Sequence, residues 1–301
     1  MASQRDVKNR ISSVKNIQKI TRAMEMVAGA RLRRAEQRIA ALRPYAEAIR
    51  RMTRQAAQAA GAETSSLKIL SEHDPQQHVG LLLVTGDRGL AGGFNSQVIR
   101  AGVRLGVELE EEGKAPVWYA AGRRGVSSLT FRGRDVQGGF TGFTDRPAYA
   151  DARDIASDLI ADYIDGKLDR VEILYNAYIS PLTQTLTRET LLPISQATLT
   201  GEDEEAEAEG EREGPRALVE YEPDPVAILQ RLVPDYVEIS IYRALLESSA
   251  GFFGAQMTAM RNASENAGEI ITDLTLQMNR VRQAEITQEI MEVVAGAEGL
   301  A

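Results

Sequence analysis

A glycine-rich segment at residues 85–95 has the composition that most suggests chemistry. It reads TGDRGLAGGFN and follows a short apolar run at residues 79–85. Turns of this kind between a strand and a helix can bind phosphate through backbone N–H groups. The segment lacks the GxGxxG spacing of dinucleotide sites and the Gly-Lys-Ser/Thr ending of nucleoside triphosphate sites. Its spacing therefore favours a tight strand-to-helix packing turn.

The other reactive residue types are scarce. His73 and His78 are the only histidines, and they lie near Asp74 in a polar stretch, which favours a solvated loop over a metal site. With no cysteine, disulfides, thiolate metal sites and thiol switching are excluded. No Ser-His-Asp set or carboxylate pair stands out. We therefore predict no catalytic residue, no cofactor and no metal.

Strand and helix patterns alternate in the centre of the chain. Strands are predicted at residues 79–85, 115–121, 170–179 and 182–192, helices at 95–112 and 148–164, and a glycine-punctuated connection at 122–142. This order predicts an α/β class with a mostly parallel sheet and an antiparallel edge. We expect a Rossmann-like head domain at residues 78–195. An acidic insert at residues 200–216 follows it, and its composition predicts disorder.

Both ends of the chain carry long helical patterns with a narrow apolar seam. The N-terminal seam is Val7, Val14, Thr21, Ala28, Ala35, Leu42, Ile49 and Ala56, and the C-terminal seam is Phe253, Met257, Met260, Ser264, Ala267, Ile271, Leu274, Met278 and Val281. A narrow seam needs a partner helix, and chain ends usually lie close together. The helices at residues 1–61 and 224–301 are thus predicted to form an antiparallel coiled coil. Pro44 should bend or break the first, and Gly251 and Gly254 should make the second compliant.

Charge is distributed unevenly along the chain. The net charge is −8, but residues 201–214 carry eight acidic residues against one arginine, while residues 1–54 carry fourteen basic against four acidic residues. The basic helix could face an acidic protein partner, an anionic membrane surface or nucleic acid, or it could be an ordinary solvated face. Nucleic acid is disfavoured because the stretch has only Tyr45 as an aromatic residue. No run of eighteen apolar residues and no apolar signal segment is present, which predicts a cytoplasmic protein.

The C-terminal helix is longer than its partner. We expect an excess of about fifteen residues, or roughly 20–30 Å. The excess is apolar and contains Ile286, Ile290, Met291, Val293, Val294 and Leu300. A frayed terminus is the alternative, but a frayed end should be more polar. The pattern favours burial in another protein.

Four blocks of this sequence resemble the rotary ATP synthase gamma subunit family. They are residues 11–28 (ISSVKNIQKITRAMEMVA), 87–95 (DRGLAGGFN), 191–194 (LLPI) and 279–297 (NRVRQAEITQEIMEVVAGA). The resemblance covers nearly the whole chain. Ala91 stands where the family typically carries cysteine, and no redox insert with paired cysteines is present. Thiol control is therefore ruled out, and the acidic insert is interpreted as a tether or a charge brake.

The resemblance implies a non-catalytic central stalk of the F1Fo ATP synthase. Its expected partners are three alpha and three beta subunits, the epsilon subunit and the proton-driven c-ring, at the cytoplasmic face of the bacterial cell membrane, with only indirect membrane association. By the same resemblance, beta-subunit contacts fall on Arg282, Gln283, Thr287, Met24, Lys19, Arg22, Arg31, Arg33 and Arg34. The apical bearing falls on Ile290, Met291, Val293, Val294 and Leu300. The alternative is a free-standing coiled-coil adaptor that binds acidic partners or RNA.

Overall fold

A computed structural model describes residues 4–61, 67–194 and 224–298, with the side chains of 296–298 outside that description. The predicted acidic insert at 200–216 and Leu300 lie outside the described residues. The elements are α1 (Gln4–Ala60), β1 (His78–Val84), α2 (Phe94–Glu111), β2 (Ala115–Ala121), α3 (Arg123–Phe131), β3 (Val136–Phe140), α4 (Tyr149–Ile164), β4 (Arg170–Tyr178), β5 (Gln184–Leu192) and α5 (Pro225–Glu298).

The five strands form one mixed sheet in the order β3-β2-β1-β4-β5. β1 pairs in parallel with β2 and β4, β2 in parallel with β3, and β5 pairs antiparallel with β4 at the edge. The mostly parallel sheet with an antiparallel edge is therefore confirmed. The central strand β1 reads as a continuous apolar run because helices cover both faces of the sheet. Leu81 and Leu83 pack with α2, whereas Leu82 and Val84 belong to the larger core that includes α4 and α5.

The prediction of a simple connection at residues 122–142 was wrong, because this stretch contains α3 and β3. Its glycines are required by close packing. Gly122 has a φ of 104°, and a Cβ there would lie 2.2 Å from the Thr85 carbonyl oxygen. A Cβ on Gly125 would lie 2.9 Å from Thr85 Oγ1. The glycines thus permit regular elements to approach β1 rather than interrupting them.

The chain divides into two compact units. The helix-pair unit comprises Met1–Ala30 and Gln256–Ala301, and the sheet unit comprises Arg31–Ala255. Inside the helix-pair unit, Gln18 Nε2 donates to the Ser264 carbonyl oxygen over 3.1 Å. Arg261 Nε donates to Glu25 Oε1 over 2.9 Å. Higher numbers on one helix thus meet lower numbers on the other, so the two segments run antiparallel.

The predicted apolar seams are buried for most of their length. In α1 the buried seam residues are Val7, Thr21, Ala28, Ala35, Ile49 and Ala56, with Val14 and Leu42 half-buried. In α5, Phe253, Met260, Ser264 and Ala267 are buried, while the seam from Ile271 to Val281 is half-buried. The seven-residue pattern therefore identified the inward faces of both helices.

The long helices are continuous through their prolines. Pro44 and Pro234 both lie inside helices, so Pro44 does not break α1, while the bend at Pro44 and the compliance at Gly251 and Gly254 stay predictions. A Cβ on Gly254 would lie 2.8 Å from the Pro181 carbonyl oxygen, and a Cβ on Gly251 would lie 3.1 Å from the Phe94 ring. These two glycines let α5 pack closely within the sheet unit. Among the helices that the structure describes, none combines the length and hydropathy that a membrane crossing requires.

Candidate functional site

The candidate site is the C-terminal end of α5, and its defining property is uncovered apolar surface. The backbone N–H of Gln4, at the first residue of α1, donates to Glu285 Oε1 over 3.4 Å. Beyond Glu285, no described residue of α1 remains to cover α5. The exposed fractions there are 48% for Ile286, 58% for Ile290, 65% for Met291, 73% for Val293 and 49% for Val294. We call these five side chains the apolar tip.

Of the polar residues predicted for partner binding, Arg282 and Gln283 lie about one turn before the apolar tip, and Thr287 follows its first residue, Ile286. Arg282 and Gln283 are exposed, and Arg282 has no ion-pair partner within residues 4–61, 67–194 and 224–298. The Thr287 hydroxyl donates to the Gln283 carbonyl oxygen over 2.8 Å, so its proton is used within the helix. The guanidinium and amide groups at 282 and 283 therefore remain available to another molecule.

The basic residues predicted on the first helix are also solvent-facing. Lys19, Arg22 and Arg33 are exposed, and Met24 is half-buried. None of these three cations forms an ion pair with another described residue. These three residues thus present positive charge that no other described residue compensates, which suits an acidic surface.

The glycine-rich turn is built around the carboxylate of Asp87. Asp87 Oδ1 accepts the backbone N–H of Arg123 over 2.9 Å. Asp87 Oδ2 accepts the N–H groups of Gly142 (3.0 Å) and Thr144 (3.1 Å) and the Thr144 hydroxyl (2.8 Å). Burial alone would raise the pKa of Asp87, but these hydrogen bonds stabilise its charged form and lower the pKa.

Two further donors of this turn, the Gly86 N–H and the Asn95 amide, are used internally. Asn95 Oδ1 accepts the Gly86 N–H over 2.7 Å, and Asn95 Nδ2 donates to the Arg88 carbonyl oxygen over 3.0 Å. At the start of α3, the Gly125 N–H donates to Thr85 Oγ1 over 2.9 Å. These bonds fix the turn between β1 and α2, and its interpretation as a packing turn rather than a phosphate site stays a prediction.

Comparison with known proteins assigns the chain to a family. The family model described as ATP synthase matches residues 3–300. The ATP synthase gamma chain of Streptomyces coelicolor is 42% identical over 304 residues, covering 100% of this chain and 97% of that protein. That of Moorella thermoacetica is 41% identical, with 100% of both chains covered. The chain belongs to the ATP synthase gamma chain family. The resemblance found in the sequence is confirmed.

Solved structures share the fold of this gamma chain. A chain of the Euglena gracilis mitochondrial ATP synthase, OSCP/F1/c-ring, has a TM-score of 0.65 at 17% identity, covering 99% of this chain and 94% of that one. A chain of the Tetrahymena thermophila mitochondrial ATP synthase central stalk/c-ring has a TM-score of 0.60 at 23% identity, covering 81% and 99%. The family membership supports the gamma-subunit interpretation and not the free-standing adaptor.

The two histidines of this gamma chain differ in exposure: the His78 side chain is 48% exposed, as a solvated position predicts, whereas that of His73 is 25% exposed. Both contact Asp169, with His73 Nδ1 at 3.2 Å from Oδ1 and His78 Nδ1 at 3.4 Å from Oδ2. The His73 ring also stacks on Tyr163 with centroids 4.5 Å apart. No group of three or more metal ligands occurs among the described residues. Sequence separations of 91 and 96 residues hid this cluster from pattern analysis.

Proposed function

We propose that this ATP synthase gamma chain is the central rotor stalk of the F1Fo complex and has no catalytic residues of its own. It couples proton-driven rotation of the c-ring to conformational cycling of the beta catalytic sites, and so to ATP synthesis. Family membership over residues 3–300 supports this role. The fold shared with chains from structures described as "central stalk/cring" and "rotor" supports it further.

The observation that carries the proposal is the apolar tip. Five large apolar side chains stand 48–73% exposed at the end of α5. Burial of apolar surface contributes about 25 cal/mol per Å², so a collar of other subunits around the tip would gain stability from contact. We assign Ile290, Met291, Val293, Val294 and Leu300 to an apical bearing. Arg282, Gln283 and Thr287 then face a loop of beta just below the bearing.

Asymmetry supplies the coupling mechanism. A partner shifts a conformational equilibrium only by its different contact energy with each state. A single shaft inside a ring of three alpha and three beta subunits cannot contact three beta subunits alike. Lys19, Arg22 and Arg33, with Met24, form the basic contact surface toward beta. As the shaft turns, each catalytic site experiences this surface in turn and changes its affinity for nucleotide.

The proposed organisation divides the chain by role. The helices at residues 1–61 and 224–301 form the antiparallel coiled coil of the shaft, and the α/β part at 78–195 is a Rossmann-like head. The head contacts the epsilon subunit and the c-ring at the cytoplasmic face of the membrane, so the association of the protein with the membrane is indirect. The insert at 200–216 is a tether or charge brake. If the insert has a regulatory role, deletion of residues 202–213 should change the rate of ATP hydrolysis by the assembled ring.

Purification of the complex from the native membrane tests the proposal. One copy of this chain should be recovered with three alpha and three beta chains. The double variant Ile290→Ser/Val293→Ser should dissociate from the alpha–beta ring several-fold faster on dilution. Val107→Ser is the matched control, because Val107 is 39% exposed but lies on α2. Recovery of a self-sufficient monomer, or equal effects of the two changes, would contradict the proposed role.

A further inference from the structure

A second feature of the sheet unit is a cavity with a strong excess of positive charge. Its volume is about 360 Å³, and its lining consists of Arg31, Arg34, Arg38, Asp145, Arg146 and Phe253. All six residues lie within the sheet unit. Four guanidinium groups thus share a small space with a single carboxylate. We call it the arginine cavity.

The one carboxylate of the arginine cavity is already occupied. Asp145 Oδ2 lies 3.3 Å from Arg31 Nη1 and 3.3 Å from Nε of Arg88, a residue of the glycine-rich turn. Arg34, Arg38 and Arg146 have no ion-pair or hydrogen-bond partner for their side chains among the described residues. Since like charges at close range repel, three unpaired guanidinium groups around one cavity favour a bound anion.

The arginine cavity is held in place by the network around Asp87. The Asp87 carboxylate fixes the loop at Gly142 and Thr144. The next residues are fixed as well, because Arg146 N–H donates to the Phe143 carbonyl oxygen over 2.8 Å and the Ser249 hydroxyl donates to that of Asp145 over 3.2 Å. Through Asp87, the glycine-rich turn therefore positions the loop that carries Arg146.

The opposite wall of the cavity is formed by one face of α1. Arg31, Arg34 and Arg38 follow a spacing of three and four residues on α1, which places them on one face of the helix. The Arg31 guanidinium lies over the Phe253 ring at 5.7 Å from its centroid, a cation–π contact that limits its rotamers. This contact and the pair with Asp145 orient one of the four guanidinium groups, and Arg34, Arg38 and Arg146 keep their donors available.

From these observations we propose that the arginine cavity is a binding site for a phosphate group, either inorganic or carried by a nucleotide. Guanidinium groups bind phosphate oxygens in a bidentate manner, and several can share one tetrahedral anion. The cavity is compact, which suits a phosphate or pyrophosphate group better than an extended acidic peptide. Arg31 and Arg34 are also among the residues expected to contact beta, whereas Arg38 and Arg146 are not, and a phosphate bound among the four would let the stalk sense the anions that the complex produces and consumes.

Isothermal titration calorimetry of the full chain with orthophosphate, pyrophosphate and ATP tests this site. We expect saturable binding of at least one of them at millimolar concentration or below. Arg34→Gln and Arg146→Gln should each weaken that binding by about tenfold, since each removes charge-assisted hydrogen bonds. Arg132→Gln is the matched control, because Arg132 is an exposed arginine at the far end of α3.

The outcomes separate the sources of the anion. Stronger binding of ATP than of pyrophosphate, lost in both cavity variants, supports a nucleotide. Binding of orthophosphate or pyrophosphate that ATP does not displace supports the free anion. The proposal is overturned if none of the three binds, if Arg132→Gln weakens binding as much as the cavity variants, or if a glutamate-rich peptide displaces every phosphate ligand at lower concentration. A circular dichroism spectrum identical to that of the parent chain shows that each variant is folded.

Discussion

The beginning and the end of α5 are made of similar apolar residues but differ completely in exposure. In the sheet unit, Leu229, Val233 and Ile241 have no exposed surface. In the helix-pair unit, Met291 and Val293 are 65% and 73% exposed. The first group belongs to a core shared with the sheet and α4. The second has no cover within the described residues.

This difference shows that an apolar pattern indicates burial without indicating what provides it. At the beginning of α5 the chain supplies its own cover, so apolar residues there contribute to folding. At its end the same residue types contribute nothing to the isolated chain and become stabilising only when another molecule covers them. Substitutions at the beginning of α5 should therefore lower the stability of the isolated chain. Substitutions at its end should instead weaken binding to the molecule that covers it.

The largest effect is expected for Ile241→Ala in the sheet unit. Removing a fully buried isoleucine side chain leaves a cavity and should lower the free energy of unfolding by about 4 kcal/mol. Ile290→Ala is the matched change at the apolar tip, where the side chain is 58% exposed. It should change the isolated chain by less than about 0.5 kcal/mol. Urea unfolding of both variants measures the difference, and equal losses would mean that the chain covers its own tip.

A smaller effect is expected for Glu172→Gln. This variant tests whether the sheet unit also pairs its buried charges with side chains of its own. The Glu172 side chain is 2% exposed, and its Oε1 lies 2.8 Å from Arg188 Nη2 and 2.9 Å from Arg170 Nη2. Loss of the charge should cost about 2–3 kcal/mol, because both arginines lose a buried partner. Glu108→Gln, in a pair whose side chains are 75% and 54% exposed, is the control. Similar urea midpoints for the two variants would contradict the expected role of burial.

Prediction from the sequence succeeded where local periodicity decides the structure. β2 occupies the predicted residues 115–121, and the heptad seam identified buried positions as distant as Val7 and Ala56. The uncovered end of α5 also followed from the sequence, because it depends only on the unequal lengths of two paired helices.

The failures share a different cause. α3 and β3 were missed because their glycines resemble a loop, and only the folded chain shows that a Cβ on Gly138 would lie 2.7 Å from the Tyr119 ring. The partners of Asp87 are 36–57 residues away, and neither they nor the convergence of both histidines on Asp169 leaves a local pattern. Predicting these long-range contacts requires the order of the strands in the sheet, which periodicity alone does not provide.

A pH-dependent effect is expected for Asp87→Asn. The amide replaces one acceptor oxygen by a donor that faces N–H groups, so the free energy of unfolding should fall by about 1–2 kcal/mol at neutral pH. The lowered pKa of Asp87 means that its charge stabilises the folded state above the unfolded-state pKa and that this contribution is lost as the pH falls through the folded-state value. The difference between parent and variant should therefore shrink below about pH 4. Urea unfolding across this range measures it, and a constant difference would exclude the charge as the cause.

The smallest effect is expected on the rim of the helix-pair unit, where Glu25→Gln removes the ion pair with Arg261. These side chains are 23% and 51% exposed, and solvent screening limits the value of such a pair. We expect a change below about 0.5 kcal/mol, measured as the hydrogen-exchange rates of α1 amides near residue 25. Glu265→Gln on α5 is the control, because Glu265 is exposed and has no ion-pair partner among the described residues. A loss well above this bound would mean that the helix pair is held at its rim by charge, and that its buried seam contributes less than the burial of Ala28 and Met260 indicates.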